Sequence, residues 1–254
     1  MTWKKLLRFT LVCVLFIVLA FWAFSHGMII WTIDWDNPQP LFAANTNTIT
    51  SVNGRLVANY REHLIEYVPI DQLPQYLIDA FIAVEDRRFF HHPGIDYRGL
   101  MRALVANIDA GGISQGGSTI TQQLARNIFL TLDQTMERKI AEMSIALQLE
   151  RRYTKDEILE MYLNQVYFGG NNWGVAQASR AYFGKDVREL NLSESALLAG
   201  LVQAPALYAP VTSWRLALVR QTIVLDRMVE AGYITKEQAI AAIYIPPIFN
   251  EEHR

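Results

Sequence analysis

At 254 residues the chain is long enough for one large domain or two small ones. A formal charge of −2 on an ordinary globular composition argues against a general nucleic-acid-binding surface. The single cysteine, Cys13, excludes an intramolecular disulfide and a thiolate metal cluster.

Cys13 lies in an uncharged run, FTLVCVLFIVLAFWAF from Phe9 to Phe24, and GMIIW extends that run to Trp31 after Ser25 and His26. A helix needs roughly 20 residues to cross a bilayer, so residues 9–31 are expected to form a transmembrane anchor. Lys4, Lys5 and Arg8 precede it, while Asp34 and Asp36 follow. This asymmetry places residues 1–8 in the cytoplasm and the globular part outside the cytoplasmic membrane. A cleaved signal peptide is the alternative, but a small-x-small cleavage site is missing, and Trp22 and Trp31 suit an interfacial belt. Residues 32–48, which include the polar NPQPLFAANTNT, read as a linker, leaving 49–254 as the domain.

ITSVNGRLVANY alternates around Asn53-Gly54, a pair favoured by a two-residue type I′ turn, and predicts a small hairpin. Beyond Leu73 the pattern is helical. Tyr76, Leu77, Ala80, Phe81 and Val84 recur at helical spacing up to Glu85. Asp96 can cap a second helix bearing Leu100, Met101, Leu104, Val105 and Ile108. The loop DAGGISQGG separates it from a third that starts at Ser118. Further helices are expected over about 134–151, 155–164, 194–203 and 215–231. Thr154-x-x-Glu157 and Thr235-x-x-Gln238 are capping boxes that fix two starts. The expected architecture is one mainly α-helical domain on a membrane stalk.

Three stretches could carry chemistry. AVEDRRFFHHPG, Ala83 to Gly94, ends an apolar helix with Glu85, beside Phe89 and Phe90. Desolvation there would raise the pKa of Glu85 toward that of a general acid or base, although a solvent-facing Glu85 paired with Arg88 is the plainer reading. Neighbouring His91 and His92, even with Asp96, are poorly placed for one metal ion, and His26 and His63 are isolated. RKIAEMSIALQLE, Arg138 to Glu150, puts Arg138 and Lys139 on the same helix face as Glu142. That is either a surface ion pair or a cluster that holds a diphosphate. In GGSTITQQLARN, Gly116 to Asn127, Arg126 and the N–H groups of the Ser118 helix start would suit an anion as well; the plain alternative is a capped helix with Gln122 and Gln123 on its surface.

In this order and spacing the stretches resemble glycosyltransferase family 51, the peptidoglycan glycosyltransferases of bacterial cell-wall synthesis. The resemblance covers about Val68 to Ala242. EDRRFFHHPG is similar to the family's first motif, with Glu85, Phe89, His92 and Gly94 on its fixed positions. GGSTITQQLARN and RKIAEMSIALQLE are similar to the second and third, and KDEILEMYLNQVYFGG to the fourth. AYFGK and LSESALLAGLVQAP complete the pattern.

The resemblance implies a lysozyme-like, mainly α fold with a small membrane-facing lobe. Leu100, Met101, Leu104 and Val105 are either part of that lobe or an ordinary core stripe. It implies polymerisation of lipid II into β-1,4-linked glycan with inversion and release of undecaprenyl diphosphate. Glu85 falls on the general base and Glu142 on the second essential carboxylate, which helps the diphosphate leave directly or through a divalent cation, Mg²⁺ or Mn²⁺, held near Glu142. Arg126, Arg138 and Lys139 would neutralise the leaving group, and Ser118 and Gln122 would line the cleft. No organic cofactor is implied. The implied partners are lipid II, the growing glycan strand and the cytoplasmic membrane, with other cell-wall synthesis enzymes as candidates and no nucleic acid.

Two positions depart from the family pattern: Arg126 stands where lysine is usual, and Gln134 where many members have arginine. No Ser-x-x-Lys or Lys-Thr-Gly element of a transpeptidase follows, so a monofunctional chain is expected. A lytic, lysozyme-type hydrolase and an inactive membrane-tethered scaffold are the competing readings.

Overall fold

The computed structural model describes residues 47–50, 56–60, 66–109, 116–130 and 135–250. The expected anchor, most of the linker, the Asn53-Gly54 turn and Gln134 lie outside them. Among the described residues, no helix is long and apolar enough to cross a membrane.

The hairpin strands form as the alternation predicts: β1 (Asn47–Thr50) pairs antiparallel with β2 (Leu56–Tyr60), with a register shift at Ile49/Thr50. Ten α-helices follow among the described residues. These are α1 (Gln75–Glu85), α2 (Tyr97–Asp109), α3 (Ile120–Phe129), α4 (Met136–Arg152) and α5 (Lys155–Leu163), then α6 (Gly174–Phe183), α7 (Leu192–Leu201), α8 (Pro205–Tyr208), α9 (Pro210–Ala231) and α10 (Lys236–Tyr244). Between α5 and α6 a short antiparallel pair, β3 (Tyr167–Gly169) with β4 (Asn172–Trp173), turns the chain. The domain is mainly α, as expected.

The helix starts follow their caps. Both predicted capping boxes are present, at Thr154/Glu157 and Thr235/Gln238, and two more occur at Thr119/Gln122 and Asn191/Glu194. The box at Thr119 moves the start of α3 from the expected Ser118 to Ile120, because the threonine hydroxyl, not the serine, meets the N–H of the third helical residue. α9 starts five residues earlier than expected, with Pro210 in its first turn, and breaks locally at Ser213 (φ −159°, ψ 99°). α6, which the periodicity did not single out, closes on Gly184 in the left-handed region.

α7 is the buried axis of the domain: every residue from Ser193 to Leu201 is buried, and α1 and α9 pack on it. Gly200 permits this contact, since a Cβ there would lie 3.0 Å from Arg220 Cβ and 3.2 Å from the Arg220 carbonyl carbon. α1 presents Leu77, Ala80, Phe81 and Ile82 to the core, and Phe81 meets Tyr162 and Phe168 edge-on at 6.1 Å each. α3 packs between α1's end and the pair α4 and α5. α2 differs. Tyr97, Leu100, Met101 and Val105 are all exposed, so these residues are not part of the core; the Leu104 side chain lies outside the described residues.

Candidate active site

Glu85 is the last residue of α1, where the chain turns out of helical geometry at Asp86 (φ −156°, ψ 74°). A helix C-terminus carries a partial negative charge and is a poor place for a carboxylate. Glu85 is half-buried, and burial pushes its pKa above the ordinary glutamate value. A hydrogen bond from Gln123 and the positive charges of Arg220 and Arg126 pull the other way, while Asp86 adds to the rise. Gln123 Nε2 donates to Glu85 Oε2 at 2.7 Å, and the Tyr162 hydroxyl donates to Gln123 Oε1 at 3.0 Å. Glu85 therefore has the desolvated setting and not the plainer, solvent-facing one: it is not paired with Arg88, which lies instead 3.6 Å from Asp96.

The loop after Glu85 is held by buried polar contacts. Asp86 takes hydrogen bonds from His92 Nε2 (3.0 Å to each oxygen) and from the N–H of Ile120 (3.1 Å). Gly94 N–H donates to His92 Nδ1 at 3.2 Å, so the His92 proton sits on Nε2 and points at Asp86. Gly94 (φ +91°) is required here twice over, by its left-handed backbone and by contact: a Cβ would lie 3.0 Å from the Ala146 oxygen and from Glu150 Cγ. Lys155 closes the loop, 2.7 Å from Glu150 and 4.3 Å above the Phe89 ring. Thr121 Oγ1 donates to the same Glu150 oxygen at 2.6 Å.

Asp86 is thus more than a neighbour of Glu85. In Asp86→Asn an amide oxygen in the place of Oδ2 can still accept from both His92 Nε2 and Ile120 N–H, but the NH₂ in the place of Oδ1 then faces the His92 N–H, donor against donor. Leaving a buried donor unsatisfied costs about 1–3 kcal/mol. Urea unfolding followed by circular dichroism should show a loss of that size.

The second half of the site lies on α4. Glu142 is fully buried, with Arg138 Nη1 at 2.6 Å from Oε1 and Lys139 Nζ at 2.6 Å from Oε2. Arg126 Nη1 reaches Oε1 from α3 at 3.9 Å. Three cations around one carboxylate leave an excess of positive charge, and all three side chains keep some exposure to solvent. Lys139 Nζ also donates to Ser118 Oγ at 2.9 Å, which ties the glycine-rich segment to α4. Arg138 Nε is buried with no hydrogen-bond partner among the described residues.

The structure brings together Glu85, Arg126, Arg138, Lys139, Glu142 and Ser118 around α3. Gln122 is placed otherwise. It is buried, and its Oε1 accepts the Thr119 N–H at 2.9 Å within the capping box, while Gln123 faces Glu85. The helix start is not an open anion site either, because Ile120 N–H is held by Asp86 and Gln122 N–H by Thr119. The sequence reading placed Gln123 at most on the helix surface, where the structure buries it against Glu85, and did not single out Tyr162 or Arg220. The spacing Thr119-x-x-Gln122, the same signal that located two other helix starts, separates the capping glutamine from the free one. Nothing local signals Arg220, which α9 brings in beneath Glu85 with its Nε on the Gly200 carbonyl at 3.3 Å.

The residues at Glu142 do not fit a protein-held divalent cation. Both carboxylate oxygens already face an ammonium or guanidinium group at 2.6 Å. Among the described residues, no three His, Cys, Asp or Glu side chains group as metal ligands.

Residues 53–229 match the protein family described as Transglycosylase. The chain is 46% identical over 220 residues to penicillin-binding protein 1A of Aquifex aeolicus (strain VF5), covering 87% of this chain and 30% of that one. It is 47% identical over 190 residues to penicillin-binding protein 1A of Escherichia coli (strain K12), covering 75% of this chain and 22% of that one. The chain therefore spans less than a third of the length of these relatives. A solved structure of penicillin-binding protein 1A from Haemophilus influenzae is similar at 27% identity and a TM-score of 0.47, over 84% of this chain and 22% of that one. With its motif residues gathered around α3, the chain belongs to the transglycosylase family, glycosyltransferase family 51.

Proposed function

We propose that this chain is a peptidoglycan glycosyltransferase that polymerises lipid II into β-1,4-linked glycan with inversion and release of undecaprenyl diphosphate. The observation that carries the reading is the placement of a desolvated carboxylate, Glu85, and a cation cluster, Arg126 with Arg138 and Lys139, on one helix and its neighbours. Glu85 Oε2 is occupied by Gln123, which leaves Oε1 to accept the proton of the acceptor's 4-hydroxyl. The acceptor's 4-hydroxyl oxygen, as it loses its proton, bonds to the donor's anomeric carbon while the bond to the diphosphate breaks. The electron pair leaves with the diphosphate, whose charge develops against Arg126, Arg138 and Lys139. Glu142 keeps these cations gathered, and the unpartnered Arg138 Nε is a spare donor in the cluster. Ser118 fixes Lys139. Gln122 supports the cleft wall through the helix start. No step is routed through a divalent cation.

The same reading places residues 1–8 in the cytoplasm, an anchor at 9–31, a linker at 32–48 and the domain 49–254 on the extracytoplasmic side of the bacterial cytoplasmic membrane. The fold is then of the lysozyme-like type, and the exposed face of α2, with Tyr97, Leu100, Met101 and Val105 beside exposed Arg98 and Arg102, forms the membrane-facing lobe. Partners are lipid II, the growing strand, the membrane and other cell-wall synthesis enzymes.

The full chain in detergent, given labelled lipid II, is expected to yield a polymer that lysozyme degrades. Cleavage of preformed glycan without polymer formation would instead establish a hydrolase, and neither activity would leave a scaffold.

A further inference from the structure

A relay of hydrogen bonds runs from Tyr162 through Gln123 to Glu85, and it settles which way the glutamine amide faces. The two ends of a glutamine amide have nearly the same shape, and half a turn about the last bond exchanges them. With Nε2 toward Glu85 the amide donates to the carboxylate, as it does at 2.7 Å; with Oε1 there, two acceptors would oppose each other. The carboxylate selects this orientation, and Tyr162 holds it. Its hydroxyl donates to Gln123 Oε1 at 3.0 Å, and its ring is fully buried on α5, edge-on to Phe81 at 6.1 Å. We propose that Tyr162 is a positioning residue that acts through Gln123, fixing the amide that holds Glu85 Oε2 and so presenting Oε1 to the acceptor hydroxyl. The proposal rests on the reading of Glu85 as base.

The electrostatics agree with the geometry. Burial, foremost, and the charge of Glu85 push the Tyr162 phenol well above its ordinary pKa, so it remains a donor throughout the working range. The groups that face Glu85 are Asp86 on its own segment, Gln123 and Arg126 on α3, Tyr162 on α5 and Arg220 on α9. Among those that hold its pKa down against burial, the Gln123 hydrogen bond is the largest. Freeing the amide to turn therefore raises the pKa of the base.

The test is kcat/KM for lipid II polymerisation against pH, for the full chain and for Tyr162→Phe, Gln123→Met and the double variant, with a thermal melt of each. In Tyr162→Phe the acid limb should move up by about one pH unit, the scale on which one hydrogen bond shifts a carboxylate. Gln123→Met should move it at least as far, and the double variant should coincide with Gln123→Met, because the hydroxyl has nothing left to orient. An acid limb unchanged in Tyr162→Phe, or a shift that adds in full to that of Gln123→Met, overturns the proposal. If Tyr162→Phe does not fold, Gln123→Met decides alone, and an unmoved limb there overturns it. A Glu85→Gln variant that still polymerises would instead overturn the reading of the base.

Discussion

Glu85→Gln is expected to polymerise lipid II about 10²- to 10⁴-fold more slowly than the parent chain, the usual contribution of a general base. It should melt no lower than the parent at neutral pH. The two halves of this result have one cause. Burial raises the pKa of Glu85, so the fold holds the protonated form better than the ionised one. The sign follows from linkage: this group's stabilising contribution is fully present below its unfolded-state pKa and is lost as pH rises through the higher folded value. An uncharged glutamine removes that cost, and its oxygen can still accept from Gln123 Nε2. The parent's activity should fall on the acid side at a pH above the ordinary glutamate pKa, since the base must be ionised to act. Initial rates of polymer formation and a melt for each protein check this. Near-parent rates in Glu85→Gln would remove the residue from the chemistry.

Glu142→Gln should fail differently, losing stability and activity together. Removing one partner of a buried ion pair costs about 3–5 kcal/mol, because the remaining charges stay where water cannot reach them. The lower end applies here, as the Arg126, Arg138 and Lys139 side chains keep some access to solvent. Three mutually repelling cations would then turn outward, and the pocket for the leaving diphosphate would disperse. Urea unfolding should show a loss of about 3 kcal/mol, with polymerisation reduced at least as severely as in Glu85→Gln. A variant that unfolds like the parent would show that Glu142 does not organise the cluster. One carboxylate is thus read as a base whose charge the fold tolerates, and the other as a strut whose charge the fold needs.

The local features of this protein were legible in its sequence for a simple reason. Caps, helical periodicity and turn glycines act over three or four residues, so Thr154-x-x-Glu157, Thr235-x-x-Gln238 and the apolar stripe of α1 could be read directly. The Arg138, Lys139 and Glu142 cluster was legible for the same reason, since i, i+3 and i, i+4 spacing alone puts these residues on one face. Whether that face was surface or interior was not legible, because burial of Glu142 depends on α3 lying across it. The exposure of the α2 stripe was undecided likewise, for a helix shows its apolar side but not what covers it. The working contacts of Glu85 come from still farther away. Gln123 is 38 positions along the chain, and Tyr162 is 39 beyond that. Asp86 meets Ile120 across 34 positions, and Arg220 approaches only because Gly200 lets α9 close on α7. No periodicity spans such separations. The sequence determined which side chains could do chemistry and on which helices they stand; the packing of those helices decided which of them meet.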